Sequence, residues 1–356
     1  MIAKMEKQYD FNKTSTYDYE LPKELIAQDP AEPRDSARLL LVKRNSFERE
    51  HRIFRDIIDF LHEDDLLVLN DTKVLPARVE GTKKYGGAKC EIFFLRPSGG
   101  EASNEWTALV KPGRKLPEGT PVTLDGGIDI TVGARLEDGL RKISFPAECD
   151  PFDVIHKLGE TPLPHYITDT HSTPDQYQTV YAKDEQENSV ASPTAGLHFT
   201  KELLAKIAEK GTGIAFVTLQ VGLGTFRPVK TENISEHIMH DEFCEVSEET
   251  AQRIRTTKEK GGRVVAVGTT VVRTLESFAR EYGEVRPGTL DTRLFITPGF
   301  DYKVVDALIT NFHLPKSTLL MLVSAFGGYE TMIAAYRDAV EKRYRFFSFG
   351  DAMFIY

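Results

Sequence analysis

The sequence predicts an α/β protein whose main domain is formed from both ends of the chain, with a small β-barrel domain inserted in it. After residue 190, short apolar runs alternate with segments that carry a helical apolar stripe, which is typical of alternating strands and helices. Between residues 72 and 148, glycines and prolines separate short β-like runs at a spacing of about ten residues, which favours a small barrel or sandwich. We therefore expect a main α/β domain over 1–71 and 149–356 and an inserted β-barrel domain over 72–148.

The elements of the main domain follow from apolar runs and from helix-capping residues. In the N-terminal part, the apolar run 66–69 predicts a buried strand that leads into Asn70 and Asp71. Thr200 and Ser247 are placed to cap two helices, because a hydroxyl can accept hydrogen bonds from the first free N–H groups of a helix. The other predicted elements are helices over 201–210, 248–260, 271–279, 317–326 and 329–344 and strands over 214–219, 263–268 and 307–310. The barrel strands are predicted over 90–95, 106–110, 121–124 and 128–132.

Composition excludes several classes of protein. With 40% hydrophobic and 28% charged residues, the 356-residue chain is neither disordered nor a coiled coil. Its three cysteines form no C-x-x-C pair, so neither a disulfide framework nor a zinc ribbon is expected. The N-terminus has no apolar signal segment, and no run approaches the ~18 apolar residues of a membrane span. We therefore expect a soluble, cytoplasmic protein without a membrane partner.

The charge distribution limits how a nucleic acid could be bound. The chain carries 45 Lys and Arg against 54 Asp and Glu, a net charge of −9, whereas a general polyanion-binding protein would be basic. A nucleic-acid partner would need a local basic patch. Residues 72–115 hold nine basic and four acidic side chains and are the candidate, with Lys342, Arg343 and Arg345 as further contributors.

Three segments have the small, flexible composition of ligand-binding turns. P-T-A-G-L-H-F, residues 193–199, stands just before a helix, where free N–H groups can hold an anion; a capped loop with a structural histidine is an equally open interpretation. V-G-L-G-T-F-R, residues 221–227, resembles a phosphate loop but lacks the third glycine of the dinucleotide fingerprint. G-T-T, residues 268–270, joins a strand to a helix, where open α/β sheets bind ligands; a threonine N-cap is the alternative.

Titratable side chains offer candidates for proton transfer. Arg273 and Glu276 share a helix face, either as a surface ion pair or as a pair that faces a ligand. The H-x-x-H-D segment, residues 237–241, has metal-like spacing, but no third ligand of matching type is near in sequence, so an acid–base pair of imidazole and carboxylate is favoured. The N-F-H segment, residues 311–313, puts an amide and an imidazole after a predicted strand.

Taken together and in this order, the motifs resemble one family. The chain is similar over essentially its whole length to the S-adenosylmethionine:tRNA ribosyltransferase-isomerases of the queuosine pathway. The blocks that carry the resemblance are Y-D-Y-E-L-P (17–22), L-I-A-Q (25–28), P-R-D (33–35), N-D-T-K-V (70–74), P-T-A-G-L-H-F (193–199), G-x-G-T-F (222–226), G-T-T (268–270), I-T-N-F-H-L-P (309–315) and F-F-S-F-G-D-A-M-F-I (346–355). The family fold, an α/β domain with an inserted β-barrel, agrees with the expectation above.

The resemblance implies a reaction, a cosubstrate and a partner. The ribosyl unit of S-adenosylmethionine would be transferred to 7-aminomethyl-7-deazaguanine at the wobble position of tRNA and isomerised, giving epoxyqueuosine-tRNA, adenine and methionine. S-Adenosylmethionine is thus the expected cosubstrate and tRNA the expected partner, without a metal and with the protein as a monomer.

This chemistry needs a base, a proton donor and a site that excludes bulk water. We expect His198 or the His240/Asp241 pair to supply the base, and Arg227 and Arg273 to hold the methionine carboxylate or a tRNA phosphate. The residues expected to be catalytic are His198, His240, Asp241 and Arg273. The residues expected to bind substrate are Asn70, Asp71, Thr194, Gly196, Gly222, Gly224, Thr225, Arg227, Thr269, Thr270, Glu276, Asn311 and His313.

Three departures from the family pattern leave alternatives open. Gln220 stands where a histidine is common in the family, and it cannot carry a proton; Ser192 and Val271 replace a common alanine and serine. An RNA-binding relative without turnover is therefore an alternative. Another S-adenosylmethionine enzyme, such as a methyltransferase, is a second, and it would release S-adenosylhomocysteine instead of adenine. A dehydrogenase is disfavoured because the dinucleotide fingerprint is incomplete.

Overall fold

The computed structural model describes residues 9–100, 103–222 and 229–356, which form two compact units. The first unit consists of the described parts of Met1–Asp71, His165–Ala182 and Pro193–Tyr356. The second consists of those of Thr72–Pro164 and Lys183–Ser192. The predicted fold class, an α/β domain with an inserted β-barrel, is confirmed.

Strands and helices alternate along most of the first unit, whereas the second unit consists mainly of strands. The strands, numbered along the chain, are β1 (Arg38–Val42), β2 (Arg49–Ile53), β3 (Leu66–Asn70), β4 (Arg78–Lys83), β5 (Lys89–Pro97), β6 (Glu105–Lys111), β7 (Thr120–Leu124), β8 (Asp129–Arg135), β9 (Arg141–Ser144), β10 (Gly213–Leu219), β11 (Glu242–Val246), β12 (Val264–Val267), β13 (Gly288–Thr292), β14 (Ala307–Asn311) and β15 (Ala352–Ile355). The helices are α1 (Pro151–Leu158), α2 (Lys201–Glu209), α3 (Glu248–Glu259), α4 (Thr269–Tyr282), α5 (Thr318–Gly327) and α6 (Tyr329–Glu341).

The second unit contains a closed barrel with the strand order β4-β5-β6-β9-β8-β7 and antiparallel neighbours. Side chains alternate between its interior and its surface: in β7, Thr120, Val122 and Leu124 are buried while the residues between them are partly exposed. Phe94 and Trp106 pack edge to face inside it, with ring centroids 6.0 Å apart. The sequence predicts β5 to β8 but not β4 and β9, whose charged residues weaken the β pattern.

The first unit contains, among the residues described, a nine-stranded sheet of order β13-β11-β10-β3-β12-β14-β15-β1-β2. Its centre is parallel, because β3 pairs with β10 on one side and with β12 on the other, and β12 pairs with β14. The strands β11 and β13 add antiparallel neighbours at one end, and β15 is antiparallel to β14 at the other. Every residue of β3 and β12 is buried, as expected for strands covered on both faces.

Helices α2 and α3 begin where their capping residues predict. The Thr200 hydroxyl accepts a hydrogen bond from the Leu203 N–H at 3.1 Å, and the Ser247 hydroxyl accepts one from the Thr250 N–H at 3.2 Å. Leu203 and Ile207 of α2 then pack on the sheet, and burying each such side chain stabilises the fold by about 1.5–3 kcal/mol. The core that α2 covers includes Leu39, Leu67, Leu69, Val265, Ile309 and Phe354.

Helices α5 and α6 are apolar and mostly buried. In the described part of the chain, no single helix is long and apolar enough to cross a membrane. These two reach the necessary length and composition only as a pair, and they are bent by 116° where they meet.

Candidate active site

Four of the predicted motifs meet at one edge of the sheet in the first unit. The strands β3, β10, β12 and β14 are parallel, so their carboxyl ends lie at the same edge. Asn70 ends β3, Gly222 follows β10, Gly268 follows β12 and Asn311 ends β14. Because open α/β sheets bind ligands at this edge, the structure brings these residues to the place where a site is expected.

Asn70 and Asp71 are held by the neighbouring strand β10. The Asn70 amide donates to the Leu219 carbonyl and accepts from the Leu219 N–H, both at 3.0 Å, so this side chain extends the pairing of β3 with β10. The Asp71 carboxylate accepts a hydrogen bond from the Thr218 hydroxyl at 2.7 Å. Burial and the Asp71 charge raise the pKa of the Tyr181 hydroxyl. Asn70 thus stabilises the sheet edge, while Asp71 supplies negative charge there.

The 3₁₀ turn Thr194–His198 packs closely on the strand ends. Gly196 lies directly against Tyr181, because a Cβ atom at position 196 would be only 1.9 Å from the Tyr181 hydroxyl oxygen. Gly268 has a φ of 90°, which favours glycine, and it faces Ala195. The small residues of both motifs therefore allow the turn and the strand ends to approach each other.

His198 is buried and neutral. Its Nε2 lies 3.2 Å from Nδ2 of Asn311, and the same amide nitrogen donates to the Phe347 carbonyl at 3.1 Å, which sets the orientation of the amide. Since an amide N–H can only donate, Nε2 is the acceptor and the ring proton is on Nδ1. The ring also packs on Phe54, and burial lowers the pKa of His198 to about 4. Thr194 approaches the same Asn311 side chain, with its hydroxyl 3.4 Å from Oδ1.

His313 is also buried, at the end of β14. Its Nε2 lies 3.0 Å from the Thr310 hydroxyl. Its backbone N–H donates to the Tyr336 hydroxyl at 3.0 Å, and its carbonyl accepts from the Tyr19 hydroxyl. Burial lowers the pKa of His313 to about 3, so the ring is neutral. These contacts hold the side chain and both backbone groups in place.

A cleft opens beside the amino end of helix α4. Thr269 and Thr270, the first residues of α4, are on its wall, together with His240 and Arg273. Neither threonine is the N-cap, since that position is Gly268, so the alternative interpretation of the G-T-T segment as a threonine cap is wrong. The apolar wall is formed by Met239, Leu294, Phe295, Ile296, Leu319 and Leu322. The structure thus brings four predicted residues into one cleft, and within the described residues His198 is not among those that line it.

A buried ion pair lies on the wall of this cleft. Arg273 Nη1 donates to the Glu242 carboxylate, and these two residues are only 6% and 5% exposed. Arg273 also donates through Nε to the Leu294 carbonyl at 3.0 Å and through Nη2 to the Thr292 carbonyl at 3.4 Å. Glu242 Oε1 accepts the N–H of Gly222 at 3.1 Å. The pair therefore connects α4, β11 and the glycine segment, and its charges neutralise each other.

Glu276 lies one turn further along α4 and binds backbone instead of Arg273. Its carboxylate accepts hydrogen bonds from the N–H groups of Lys303 at 2.9 Å and of Val304 and Val305 at 3.0 Å. Both Arg273 and Glu276 are buried, so the interpretation of the two as a surface ion pair is wrong. Glu276 holds the chain segment that leads into β14.

The H-x-x-H-D segment divides between the cleft and the surface. His237 and His240 line the cleft, and burial together with the charge of His240 lowers the pKa of His237. Asp241 forms an ion pair with Arg293, whose Nη2 is 2.5 Å from Oδ2. In the residues that the structure describes, no group of three or more His, Cys, Asp or Glu side chains is arranged to hold a metal ion.

Sequence reasoning missed Glu242, which follows Asp241 directly. Residues 242, 244 and 246 of β11 are buried and the residues between them are not, so the alternating strand pattern is the signal that could have found it. The apolar wall was missed because apolar side chains that line a cleft, whether in a loop or on α5, look the same in sequence as core residues. Gly224, Thr225 and Arg227 lie outside the described residues.

The chain matches the family model described as queuosine biosynthesis protein over residues 14–355. Two S-adenosylmethionine:tRNA ribosyltransferase-isomerases, from Thermotoga petrophila and from Thermotoga sp. strain RQ2, are each 52% identical to it over 345 residues, which is 96% of this chain and 99% of theirs. A crystal structure of the S-adenosylmethionine tRNA ribosyltransferase from Thermotoga maritima has 43% identity and a TM-score of 0.56, and the match covers 96% of this chain and 99% of that one.

These matches confirm the resemblance found in the sequence. They extend over both units, so they concern the barrel as well as the α/β domain with its cleft. A relative that shares half of its residues over almost the full length has the same fold and belongs to the same family. The chain is therefore a member of the S-adenosylmethionine:tRNA ribosyltransferase-isomerase family of queuosine biosynthesis enzymes.

Proposed function

We propose that this enzyme transfers the ribosyl unit of S-adenosylmethionine to 7-aminomethyl-7-deazaguanine at the wobble position of tRNA and isomerises it. The products are epoxyqueuosine-tRNA, adenine and methionine. The observation that carries the proposal is the 52% identity, over 96% of the chain, to ribosyltransferase-isomerases. The cleft supports it, because an apolar wall beside buried hydroxyls suits a nucleoside that is joined to an amino acid.

The chemistry starts at the carbon next to the sulfonium sulfur. The positive sulfur acidifies the 5′ C–H bond, and the electron pair left on C5′ forms a C4′–C5′ double bond as the C4′–O4′ bond breaks. O4′ then forms a carbonyl at C1′ as protonated adenine leaves. The amine of the modified base adds to C4′ and loses a proton, which returns an electron pair to C5′, and C5′ then bonds to the C1′ carbonyl carbon. The C1′ oxygen finally displaces methionine from C5′ as the epoxide closes. The protein must supply a base, a proton donor to adenine and protection from bulk water.

We assign the base to His240 rather than to His198. A base must come within about 3 Å, measured between heavy atoms, of the group from which it removes the proton. His240 is on the cleft wall with Thr269 and Thr270, whereas His198 is buried and hydrogen-bonded to Asn311. Asp241 follows His240 in sequence, but its carboxylate forms an ion pair with Arg293. We therefore assign the proton transfer to His240 and not to Asp241.

The substitution His240→Gln tests this assignment. We expect it to lower the rate of adenine release by about 100-fold or more, because it removes the proton acceptor. Its affinity for tRNA, measured separately, should stay within about twofold of the wild type. His198→Gln is the matched control and should reduce stability more than rate. Full turnover by His240→Gln would show that the assignment is wrong.

The ion pair of Arg273 and Glu242 sets the electrostatics of the cleft. Because the two charges compensate each other, this ion pair adds no net positive charge that would repel a sulfonium. Arg273 already donates to three acceptors, so its part in the reaction is to position the wall around α4. The apolar residues of the wall exclude water from the reacting carbon.

The barrel supplies the phosphate-binding surface in this proposal. Within the residues that the structure describes, no acidic side chain pairs with five exposed or half-buried cations, Lys83, Lys89, Arg96, Arg114 and Lys115. Unpaired cations on one small barrel suit the phosphates of tRNA. Arg345, a further candidate for phosphate contact, forms an ion pair with Asp351. We propose that the enzyme acts as a monomer in the cytoplasm.

Mass spectrometry of the tRNA and of the small products tests the function. Purified protein, S-adenosylmethionine and a tRNA that carries 7-aminomethyl-7-deazaguanine should give epoxyqueuosine-tRNA with equal amounts of adenine and methionine. Release of S-adenosylhomocysteine would identify a methyltransferase. Binding of tRNA without release of adenine would identify a relative that has lost turnover, for which Gln220 is the sequence signal.

A further inference from the structure

The amino end of helix α4 has backbone donors without acceptors. Its N-cap residue is Gly268, which has no side chain to cap the helix. The first N–H that bonds within the helix is that of Val272, to the Gly268 carbonyl at 3.4 Å. Among the residues described, none accepts a hydrogen bond from the N–H groups of Thr269, Thr270 and Val271. Three free donors and the positive end of the helix dipole favour an anion at this point.

A second observation at the same place is the hydroxyl of Thr270. This side chain is on the wall of the cleft and Thr270 is only 9% exposed, yet its Oγ1 has no hydrogen-bond partner in the described part of the chain. Buried hydroxyls in proteins are nearly always hydrogen-bonded. A buried hydroxyl without a partner in the described part of the chain, on the wall of a cleft and next to free N–H groups, is placed to bind a ligand oxygen.

The surroundings favour a small anion on a flexible arm. Arg273 and Glu242, two charged residues on the described part of the wall, neutralise each other, and the helix end adds positive potential to this part of the cleft. Thr269 is buried as well, and Leu294 and Leu322 form apolar walls near it. A carboxylate at the end of an aliphatic chain can reach donors below such walls. A backbone phosphate has a nucleoside on each side and therefore fits such a position less well than a terminal carboxylate.

We propose that the amino end of α4, with the hydroxyl of Thr270, binds the α-carboxylate of the methionyl group of S-adenosylmethionine. This assignment rests on the proposed function. It adds to that function the element of the cleft that binds the methionyl carboxylate. It leaves Arg273 and Glu242 to position the wall, and it directs the sulfonium away from the helix end, where the dipole would repel a cation.

Two ligands and two variants test the subsite. S-Adenosylmethionine and its decarboxylated analogue differ by the carboxylate alone, so their dissociation constants, measured by calorimetry without tRNA, report on its binding. Thr270→Val removes the hydroxyl and keeps the shape of the side chain. Thr274→Val is the matched control, since the Thr274 hydroxyl donates to the Thr270 carbonyl within the helix and is outside the cleft wall. Thermal unfolding establishes that both variants are folded.

The proposal expects a specific pattern of affinities. The wild type should bind S-adenosylmethionine at least about tenfold more tightly than the decarboxylated analogue. Thr270→Val should weaken the binding of S-adenosylmethionine by about tenfold and leave that of the analogue unchanged. Thr274→Val should keep the wild-type preference.

Other patterns of affinity would overturn the carboxylate subsite, and each of them identifies which part of the proposal is wrong. Equal affinity of the wild type for both ligands, with normal release of adenine, would reject the carboxylate subsite and leave the proposed function intact. So would an equal loss of affinity for both ligands in Thr270→Val. A variant that binds S-adenosylmethionine normally but loses tRNA affinity would assign the helix end to a phosphate. Failure of the wild type to bind either ligand or to release adenine would reject the proposed function together with the subsite.

Discussion

Single residues in and near the site form two groups: those whose polar atoms are hydrogen-bonded within the protein, and those whose polar atoms have no such partner among the described residues. The Glu276 carboxylate accepts hydrogen bonds from three backbone N–H groups, and the Asn70 amide is hydrogen-bonded to the backbone of Leu219. Both side chains therefore support the structure of the site. Thr270, in contrast, is buried with an unpartnered hydroxyl among the described residues. A polar group that is buried and satisfied supports the fold, whereas one that is buried and unsatisfied on a cleft wall is available to a ligand.

The support given by Glu276 can be measured directly. Glu276→Ala leaves the buried N–H groups of Val304 and Val305 without an acceptor and removes the acceptor of the Lys303 N–H, so we expect it to lower the free energy of unfolding by about 3 kcal/mol. Urea titration measures this loss. Glu281→Ala, on the exposed face of the same helix, should change stability by less than about 0.5 kcal/mol. Equal effects of the two substitutions would contradict the role of Glu276.

Buried neutral His198 makes stability depend on pH. Its pKa is about 4 in the folded protein, below the value of about 6.5 in the unfolded chain, so the unfolded state takes up the proton first. The stability is therefore complete above pH 6.5 and is lost as the pH falls towards 4, by about 3 kcal/mol in total. His198→Gln should show a shallower decline in urea titrations over this range. His165→Gln, at an exposed position, should keep the wild-type decline.

At the scale of elements, local patterns predict where helices start and packing decides what lies next to them. The caps Thr200 and Ser247 are visible in sequence because a cap acts within one turn of its own helix. The place of the Thr194–His198 turn is not visible, since it depends on Tyr181 and on the ends of distant strands. Close packing explains the glycine in that turn. From the sequence alone, a glycine needed for close packing looks the same as one needed for backbone flexibility.

The close packing of Gly196 gives a prediction for this turn. Gly196→Ala would put a methyl group 1.9 Å from the Tyr181 hydroxyl oxygen, so we expect a destabilisation of about 1–3 kcal/mol. Tyr181→Phe removes that oxygen, and the double variant should recover part of the loss, although Thr179 remains close. Chemical unfolding of the two single variants and the double variant measures the coupling. If the double variant recovers no stability, the contact with Tyr181 is not the reason why position 196 requires glycine.

At the scale of the whole molecule, an acidic protein has to bind an anionic partner. The chain has a net charge of −9, but the barrel has exposed cations, such as Arg96, Arg114 and Lys115, that pair with no acidic side chain among the described residues. Binding through phosphates releases counterions, so the affinity should fall steeply with salt. Negative charge elsewhere then favours tRNA orientations in which the barrel makes the contact.

The barrel surface can be tested by removing charge. Replacing Arg96, Arg114 and Lys115 by alanine should weaken tRNA binding and should reduce the slope of log affinity against log salt by about one for each lost phosphate contact. Filter binding between about 50 and 200 mM salt measures both quantities. The control replaces the exposed cations Lys201, Lys206 and Arg280 of the α/β domain, and it should keep the slope. An unchanged slope in the barrel variant would place the tRNA elsewhere.

The amino-acid sequence by itself determined the fold class, the caps and the order of motifs at the strand ends. These features depend on apolar periodicity and on contacts within a few residues, both of which can be read along the chain. It also carried the family resemblance, because that consists of ordered local blocks such as the G-T-T and N-F-H segments.

Only the tertiary structure decided which side chains meet. Arg273 pairs with Glu242, which is 31 residues away, and His198 contacts Asn311 at a separation of 113 residues. It also separated His240, on the cleft wall, from His198, which is buried elsewhere in the same unit. The physical reason is that a side chain's partner, burial and pKa depend on segments that folding brings together, and no local pattern specifies those segments.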